Sequence, residues 1–304
     1  MRVIIAGGSG LIGTALAEKL LTEGHQVSIL SRGPSRKRLP TRAQAARWDG
    51  RTPDGWQHLV EEADAIVNLV GENLGKSRWT SARKALILNS RIMAGQAITA
   101  AVQAANHKPG VLLQASAVGY YGTTDDKKLD ENQPPGDDFM AQVCVQWEDS
   151  TRLVEELGVR RIVIRSGVVL AAGSDILNKF LLQFHLFGGG PLGSGKQWLP
   201  WIHITDQIDA MLFLIKNELA DGAYNLMSPE PATNAQFGKT LGKLIRRPYW
   251  IPVPAFALKL VLGEMSNLVL DGQRAIPRRL LEAGYNFRFV DLELALRSLL
   301  SKKS

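Results

Sequence analysis

A phosphate-holding turn stands near the start of the sequence. Gly7-Gly8-Ser9-Gly10-Leu11-Ile12-Gly13 follows the apolar run Val3 to Ala6 and opens an amphipathic segment, Leu11 to Glu23. Strand, turn and helix come in the order that a dinucleotide fingerprint requires. The spacing predicts that Gly7 makes the tight turn, Gly10 lets backbone approach a pyrophosphate, and Gly13 lets the helix pack closely on the strand. Leu11 and Ile12 begin a helix whose N-terminus offers unbonded N–H groups and a positive dipole end to the anion.

The next apolar run, Val27 to Leu30, ends in Ser31-Arg32. A site for NAD places Asp or Glu there to hold the ribose hydroxyls, whereas a site for NADP omits that charge and supplies Arg. Ser31 and Arg32 suit a 2′-phosphate, with Arg36 and Lys37 in support, because guanidinium binds phosphate through two parallel bonds. NADP(H) is the expected cofactor. Asp49, just past Trp48, is placed either to accept from an adenine amino group or to cap a turn.

These residues need a scaffold that puts them on one edge. Val3 to Ala6, Val27 to Leu30, Ala65 to Val70, Val111 to Ala115 and Arg161 to Ser166 are apolar on both faces, as parallel strands between helix layers are. Ala45 to Trp48 supplies a further strand. Leu11 to Glu23, Thr80 to Ala105 and Asp137 to Leu157 show helical spacing between them. The alternation predicts an α/β fold, a Rossmann-type doubly wound parallel sheet with right-handed crossovers. After Gly167 the rhythm changes to glycine-rich loops and proline-divided helices, so a dinucleotide-binding domain over 1–170 and a smaller C-terminal, substrate-side domain over 171–304 are expected. Phe287 to Val290 reads as a late strand, Asp291 as the cap of a last helix through Leu300, and Thr205 and Asp206 as caps for a helix over Gln207 to Lys216.

Composition narrows the classes. The 304 residues are 45% hydrophobic and 21% charged, an ordinary globular mixture. No apolar run approaches the roughly 20 residues of a membrane span, so no membrane partner is expected. The chain runs straight into the glycine turn, which points to the cytoplasm rather than to a targeting segment. One cysteine, Cys144, and five histidines without ligand spacing argue against a disulfide or a metal site. The net charge of +7 is concentrated in two groups, Arg32 to Arg42 and Arg246 to Arg279, and reads as solvated faces rather than a nucleic-acid footprint.

The glycine turn, Asn68-Leu69-Val70-Gly71, Ser116-Ala117-Val118-Gly119-Tyr120-Tyr121-Gly122, Arg165-Ser166-Gly167-Val168 and Trp201-Ile202-His203-Ile204-Thr205-Asp206 together resemble the extended short-chain dehydrogenase/reductases, the NAD-dependent epimerase/dehydratase superfamily. The tail, with Arg247-Pro248, Pro252-Val253-Pro254, Leu262-Gly263-Glu264, Gly272-Gln273-Arg274 and Gly284-Tyr285-Asn286-Phe287, is similar to the atypical, YfcH-type epimerase-family proteins, which extends the resemblance over essentially the whole chain. The resemblance puts Asn68 and Gly71 beside the cofactor. It implies a fold and a cofactor more directly than a reaction, because that subgroup has no assigned substrate.

The chain departs from the resemblance where protons move. Typical members carry a Tyr with a Lys four residues later, the ammonium lowering the phenol's pKa. Here Val143-Cys144-Val145-Gln146-Trp147-Glu148 has neither. Cys144 and Glu148 share a helical face, and an ionised Glu148 disfavours a thiolate. Ser116 matches the family's hydroxyl at the end of the fifth strand; Tyr120 or Tyr121 stands as the candidate acid, or as packing. Glu148 reads as an orienting group or a solvated carboxylate. Gly193-Ser194-Gly195-Lys196-Gln197-Trp198, with Trp201, faces the substrate side by resemblance or belongs to the core, and His203 reads as structural. Three functions follow: an NADP-dependent oxidoreductase for a small carbonyl or alcohol bound in the inter-lobe cleft, an NADPH-binding regulatory or scaffold protein without turnover, and a nucleotide-sugar epimerase. A symmetric homodimer is the default assembly.

Overall fold

The computed structural model describes residues 1–33, 39–124 and 126–301. Arg36 and Lys37 lie outside the described residues. The first half alternates as expected: β1 (Arg2–Ala6), α1 (Leu11–Thr22), β2 (Gln26–Ser31), β3 (Gln44–Arg47), β4 (Ala65–Asn68), α2 (Ser81–Ala104), β5 (Val111–Ala117), a short β6 (Lys128–Leu129), α3 (Phe139–Asp149) and β7 (Arg160–Ser166). There follow β8 (Val168–Leu170), α4 (Asp175–His185), β9 (Trp198–Leu199), β10 (Trp201–His203), α5 (Ile204–Lys216), β11 (Gly222–Leu226) and β12 (Ala232–Thr233). The tail holds α6 (Asn234–Leu244), α7 (Ala255–Leu262), α8 (Asn267–Leu270), β13 (Arg274–Ala275), α9 (Arg278–Glu282) and α10 (Leu292–Ser301).

Seven strands form one parallel sheet in the order β11-β7-β5-β4-β1-β2-β3, the doubly wound arrangement, with its switch point between β1 and β4. The registers Ala6 to Asn68, Asn68 to Gln114 and Ser116 to Arg165 bring the strand ends to one edge. Both faces of the sheet are covered, which is why its strands read as continuous apolar runs. Ile5, Val27 and Val67 pack with Leu16 and Leu20 of α1 and with Met211 and Leu214 of α5. On the other face Ile4, Leu30 and Ile66 meet Ala94, Ile98 and Val102 of α2. A separate cluster joins α4, α6 and α10 through Phe184, Phe237 and Leu296.

α2 is long and apolar enough to cross a bilayer by length and composition alone, but half of its apolar window is buried within the protein, as a core helix is. Several expectations are revised. The helix expected through Leu157 stops at Asp149, because Ser150 Oγ donates to the Trp147 carbonyl at 2.6 Å and Thr151 Oγ1 to that of Glu148, competing with the helix ladder. Phe287 to Val290 is not a strand: the Arg288 and Phe289 amides donate to Asp206 at 2.7 and 2.9 Å. Asp206 is therefore not a cap, nor is Thr205; the cap of α5 is His203, whose Nδ1 accepts from Thr205 N. Asp291 does cap α10, accepting from Leu294 N at 2.8 Å. Residue 170 does not divide the chain cleanly, since β11 returns to pair with β7 in the central sheet.

Candidate cofactor cleft and proton-transfer site

At the switch point a cleft of about 660 Å³ is lined by Gly7, Ser9, Gly10, Ser31, Arg32, Asp49 and Gly71, with α2 forming one wall through Ala85, Asn89 and Met93. A smaller hollow of about 400 Å³ lies at the opposite ends of the strands, around Arg2 and Gln26, and contains none of the expected site residues. The glycine turn is built for close approach. Gly7 has φ +80°, and a Cβ there would lie 2.9 Å from the Leu69 carbonyl group; one on Gly13 would lie 2.6 Å from both Gly7 O and Gly8 Cα. A Cβ on Gly8 would strike Ile29 at 2.6 Å, so this glycine serves packing. Gly10 alone has room, its nearest neighbour being Gly7 O at 3.4 Å, so its bare backbone is open to the cleft. These are the features a pyrophosphate needs, and the residues fit a dinucleotide. Gly13, Leu11 and Ile12 do not line the cleft; Gly13 and Ile12 pack α1 on the sheet side, and Leu11 is exposed.

At the far end, Ser31 Oγ donates to Gly33 O at 3.0 Å, and Arg32 is exposed, with no ion pair among the described residues. Asp49 lines the cleft, but its Oδ1 accepts from Arg51 N at 2.7 Å and Thr52 N at 2.9 Å, which holds the carboxyl below its usual pKa and makes it a turn cap. Asn68 is fully buried and does not face the cleft. Its Nδ2 donates to Gln114 Oε1 at 2.9 Å, and its Oδ1 accepts from Val70 N, so it ties β4 to β5 and shapes the turn. Gly71 is glycine because Arg91 lies against it, the guanidinium carbon 3.0 Å from where a Cβ would be. Arg91 is itself buried, donating to Glu72 O and Ile87 O and resting over the Trp147 ring at 4.7 Å.

Ser116 lies at the end of β5, beside α3. Its Oγ donates to Glu148 Oε1 at 2.6 Å. Arg165, paired with Ser116 across β5 and β7, grips the same carboxylate with Nε and Nη2. Its guanidinium also covers the Tyr120 ring at 3.3 Å and donates to the Tyr121 hydroxyl at 3.3 Å. Tyr121 in turn donates to Asn225 Oδ1 at 2.8 Å, and burial pushes its phenol up to about 12. Tyr121 is thus a packed, committed group, while Tyr120 is half-buried and its hydroxyl makes no hydrogen bond among the described residues. Cys144 is fully enclosed and donates to Ala117 O at 3.7 Å; burial first, then the Glu148 charge, pushes its thiol up to about 12. The shared face of Cys144 and Glu148 therefore exists, and it points at the end of β5.

The second half contributes less than its motifs suggest. Trp201 is fully buried, its Nε1 donating to Glu230 O. Trp198 donates to Asp126 Oδ1 at 2.7 Å under the Arg274 guanidinium. His203 is buried, stacked on Phe289 at 3.8 Å and bonded to Ser298 Oγ. Sequence reasoning missed Arg165 and Asn225 as partners. Arg165 left a signal: a cation near the end of an apolar central strand must meet a carboxylate or a cavity. Asn225 left none, because it arrives on a strand 104 residues after Tyr121.

With this geometry in hand, comparisons place the chain among known proteins. A profile described as the NAD dependent epimerase/dehydratase family matches residues 3–226, and a domain of unknown function, DUF1731, matches 253–299. The epimerase family protein YfhF of Bacillus subtilis is 36% identical, over 100% of this chain and 99% of its own length. The crystal structure of human epimerase family protein SDR39U1 (isoform 2) with NADPH is 35% identical, covers 99% of each chain and gives a TM-score of 0.88. UDP-glucose 4-epimerase of Thermus thermophilus, at 18% identity and a TM-score of 0.81, shares the fold.

Proposed function

The chain belongs to the NAD dependent epimerase/dehydratase family, and on that premise we propose that it is an NADP(H)-dependent oxidoreductase for a small alcohol or carbonyl, in which Ser116 and Glu148 handle the proton. The Gly7 to Gly10 backbone would hold the pyrophosphate, and Ser31 and Arg32 would receive the 2′-phosphate. The NADPH in the human SDR39U1 structure supports the choice of cofactor. When bound, the nicotinamide supplies hydride transfer.

The observation that carries the catalytic reading is the 2.6 Å bond from Ser116 Oγ to Glu148 Oε1. Ser116 is buried and stands outside the residues that line the cleft, so this reading requires a substrate that reaches past them to the end of β5. With its own proton committed to Glu148, the Ser116 oxygen would accept a hydrogen bond from that substrate's hydroxyl. Oxidation then moves the substrate proton to Ser116 Oγ as the serine proton passes to Glu148, and reduction runs the same two transfers backwards. Arg165 orients the carboxylate throughout. The missing Tyr and Lys are replaced by a shorter serine-to-carboxylate path, and Tyr121 takes no part.

The test is NADP⁺ reduction with a panel of secondary alcohols and NADPH oxidation with the matching carbonyls, followed by absorbance. Ser116→Ala and Glu148→Gln should each lose about 10²- to 10⁴-fold in turnover while keeping NADPH affinity. Full activity in Glu148→Gln would sink this reading. A second reading is favoured by the closed ion pair itself, which could serve structure alone: an NADPH-binding regulatory protein without turnover. It predicts tight NADPH binding and no consumption of cofactor with any member of the panel. Nucleotide-sugar epimerisation predicts instead a tightly held oxidised cofactor in the purified protein.

A further inference from the structure

Two stretches of the chain, 176–205 and 231–263, contain no carboxylate. The first holds Lys179 and Lys196; the second holds Lys239, Lys243, Arg246, Arg247 and Lys259. The same stretches carry a concentration of exposed large apolar side chains. Leu186, Trp250, Phe256 and Leu260 are each about two-thirds or more exposed, at 73%, 66%, 74% and 75%. α7 buries none of its eight residues. Scattered exposed leucines are ordinary, but a joined set is not. The two stretches meet in space: Trp250 Nε1 donates to Phe187 O at 3.1 Å, the Arg247 guanidinium lies 4.5 Å over the Phe187 ring, and Leu192 bridges to Val253, two residues before α7 begins.

Backbone strain falls in the same place. Phe187 (φ 58°) and Arg246 (φ 54°) are the two non-glycine residues with left-handed backbone among those described. Each lies just beyond the end of a helix, α4 and α6, at the position that glycine commonly fills. A large side chain there is unfavourable for the fold. Both side chains are exposed, so neither is kept for the core.

We propose that this face seats on an anionic phospholipid surface, with Phe187, Trp250, Phe256 and Leu260 entering the headgroup boundary and Arg246, Arg247 and Lys259 meeting the lipid phosphates. Aromatic and aliphatic side chains beside cations are what an interfacial element presents, and the carboxylates that reach this region from outside the two stretches, Glu293 and Glu264, are paired with Lys243 and Lys84. A second copy of the chain fits less well, because a two-fold contact would set these cations against each other. The sequence expectation of no membrane partner rested on spanning length, and a face that lies on a bilayer needs no such run.

The test uses the full chain in co-sedimentation with phosphatidylcholine vesicles, with and without phosphatidylglycerol, at low and high salt. Binding is expected only to vesicles containing phosphatidylglycerol and should fall at high salt. Phe256→Ser with Leu260→Ser should abolish it. Arg246→Gly should weaken it about fivefold, the effect of one cation near such a surface, while raising the melting temperature by relieving the left-handed backbone. That opposite movement separates lost docking from lost folding. No pelleting with either vesicle, or equal pelleting with both, overturns the proposal. So does concentration-dependent self-association in velocity sedimentation that Leu260→Ser removes, which would assign the face to a second copy.

Discussion

Arg165 and Glu148 meet end on, Nε to Oε1 and Nη2 to Oε2, each at 2.9 Å, with side chains only 6% and 12% exposed. A strand residue and a helix residue are thereby locked by two parallel charge-assisted bonds. Arg165→Met leaves the carboxylate enclosed without its cation and should destabilise the protein by about 3–5 kcal/mol, whereas the double variant with Glu148→Gln should recover much of that. Urea unfolding of the four proteins checks the cycle; equal losses in the single and double variants would show that the pair is not the source.

Cys144 should be inert. Its thiol, pushed up to about 12, keeps its proton far above ordinary conditions and has no exposed surface to speak of. Iodoacetamide at pH 8 should alkylate it in urea and not in buffer. Rapid alkylation of the folded protein would refute the enclosed thiol.

The same burial sets a pH dependence. Between pH 9 and about 12 the unfolded Cys144 thiol releases its proton while the folded one retains it, so stability is present below that window and lost as pH rises through it. Tyr121 acts in the same direction from pH 10 to about 12. Each group contributes a slope of at most about 1.4 kcal/mol per pH unit. Urea midpoints measured from pH 8 to 11 should fall, and Cys144→Ala should flatten the lower part of the curve.

Gly10 and Gly13 should separate binding from folding. Gly13→Ala forces a Cβ to 2.6 Å from Gly7 O and should lower both NADPH affinity and melting temperature. Gly10→Ala meets only Gly7 O, at 3.4 Å, and should lose NADPH by about tenfold or more with little change in melting. Calorimetric titration and thermal melts give the two readouts; unchanged affinity in Gly10→Ala would move the pyrophosphate elsewhere.

Arg32→Glu should reverse the preference from NADPH toward NADH, because a carboxylate repels the 2′-phosphate and accepts from ribose hydroxyls. Binding of both cofactors measured side by side decides it, and unchanged selectivity removes Arg32 from the site.

The sheet and the glycine turn were readable because their signals are local: buried parallel strands are apolar on both faces, and Gly7 to Gly13 sit within one strand-turn-helix unit. Thr80 was placed within a residue of its role, capping α2 through Arg83 N. What escaped was long-range. β11, with Gly222, Tyr224 and Asn225, lacks a continuous apolar run, and only its pairing with β7 makes it a strand. Asp206 looked like a helix cap from its position, but its carboxylate is taken by amides 82 and 83 residues away. At the site, Ser116 and Glu148 were visible as residue types; that they touch, and that Arg165 holds them, depends on the packing of α3 against β5 and β7.

The late return of β11 has a consequence for synthesis. As the chain leaves the ribosome, β7 is complete at Ser166, yet its outer edge has no neighbour until residue 226 has emerged. For that interval the nascent domain shows a row of unsatisfied backbone groups, the kind of surface that pairs with other chains. Expression halted anywhere between the two strands should yield aggregating fragments, and the shortest soluble one should end beyond Leu226.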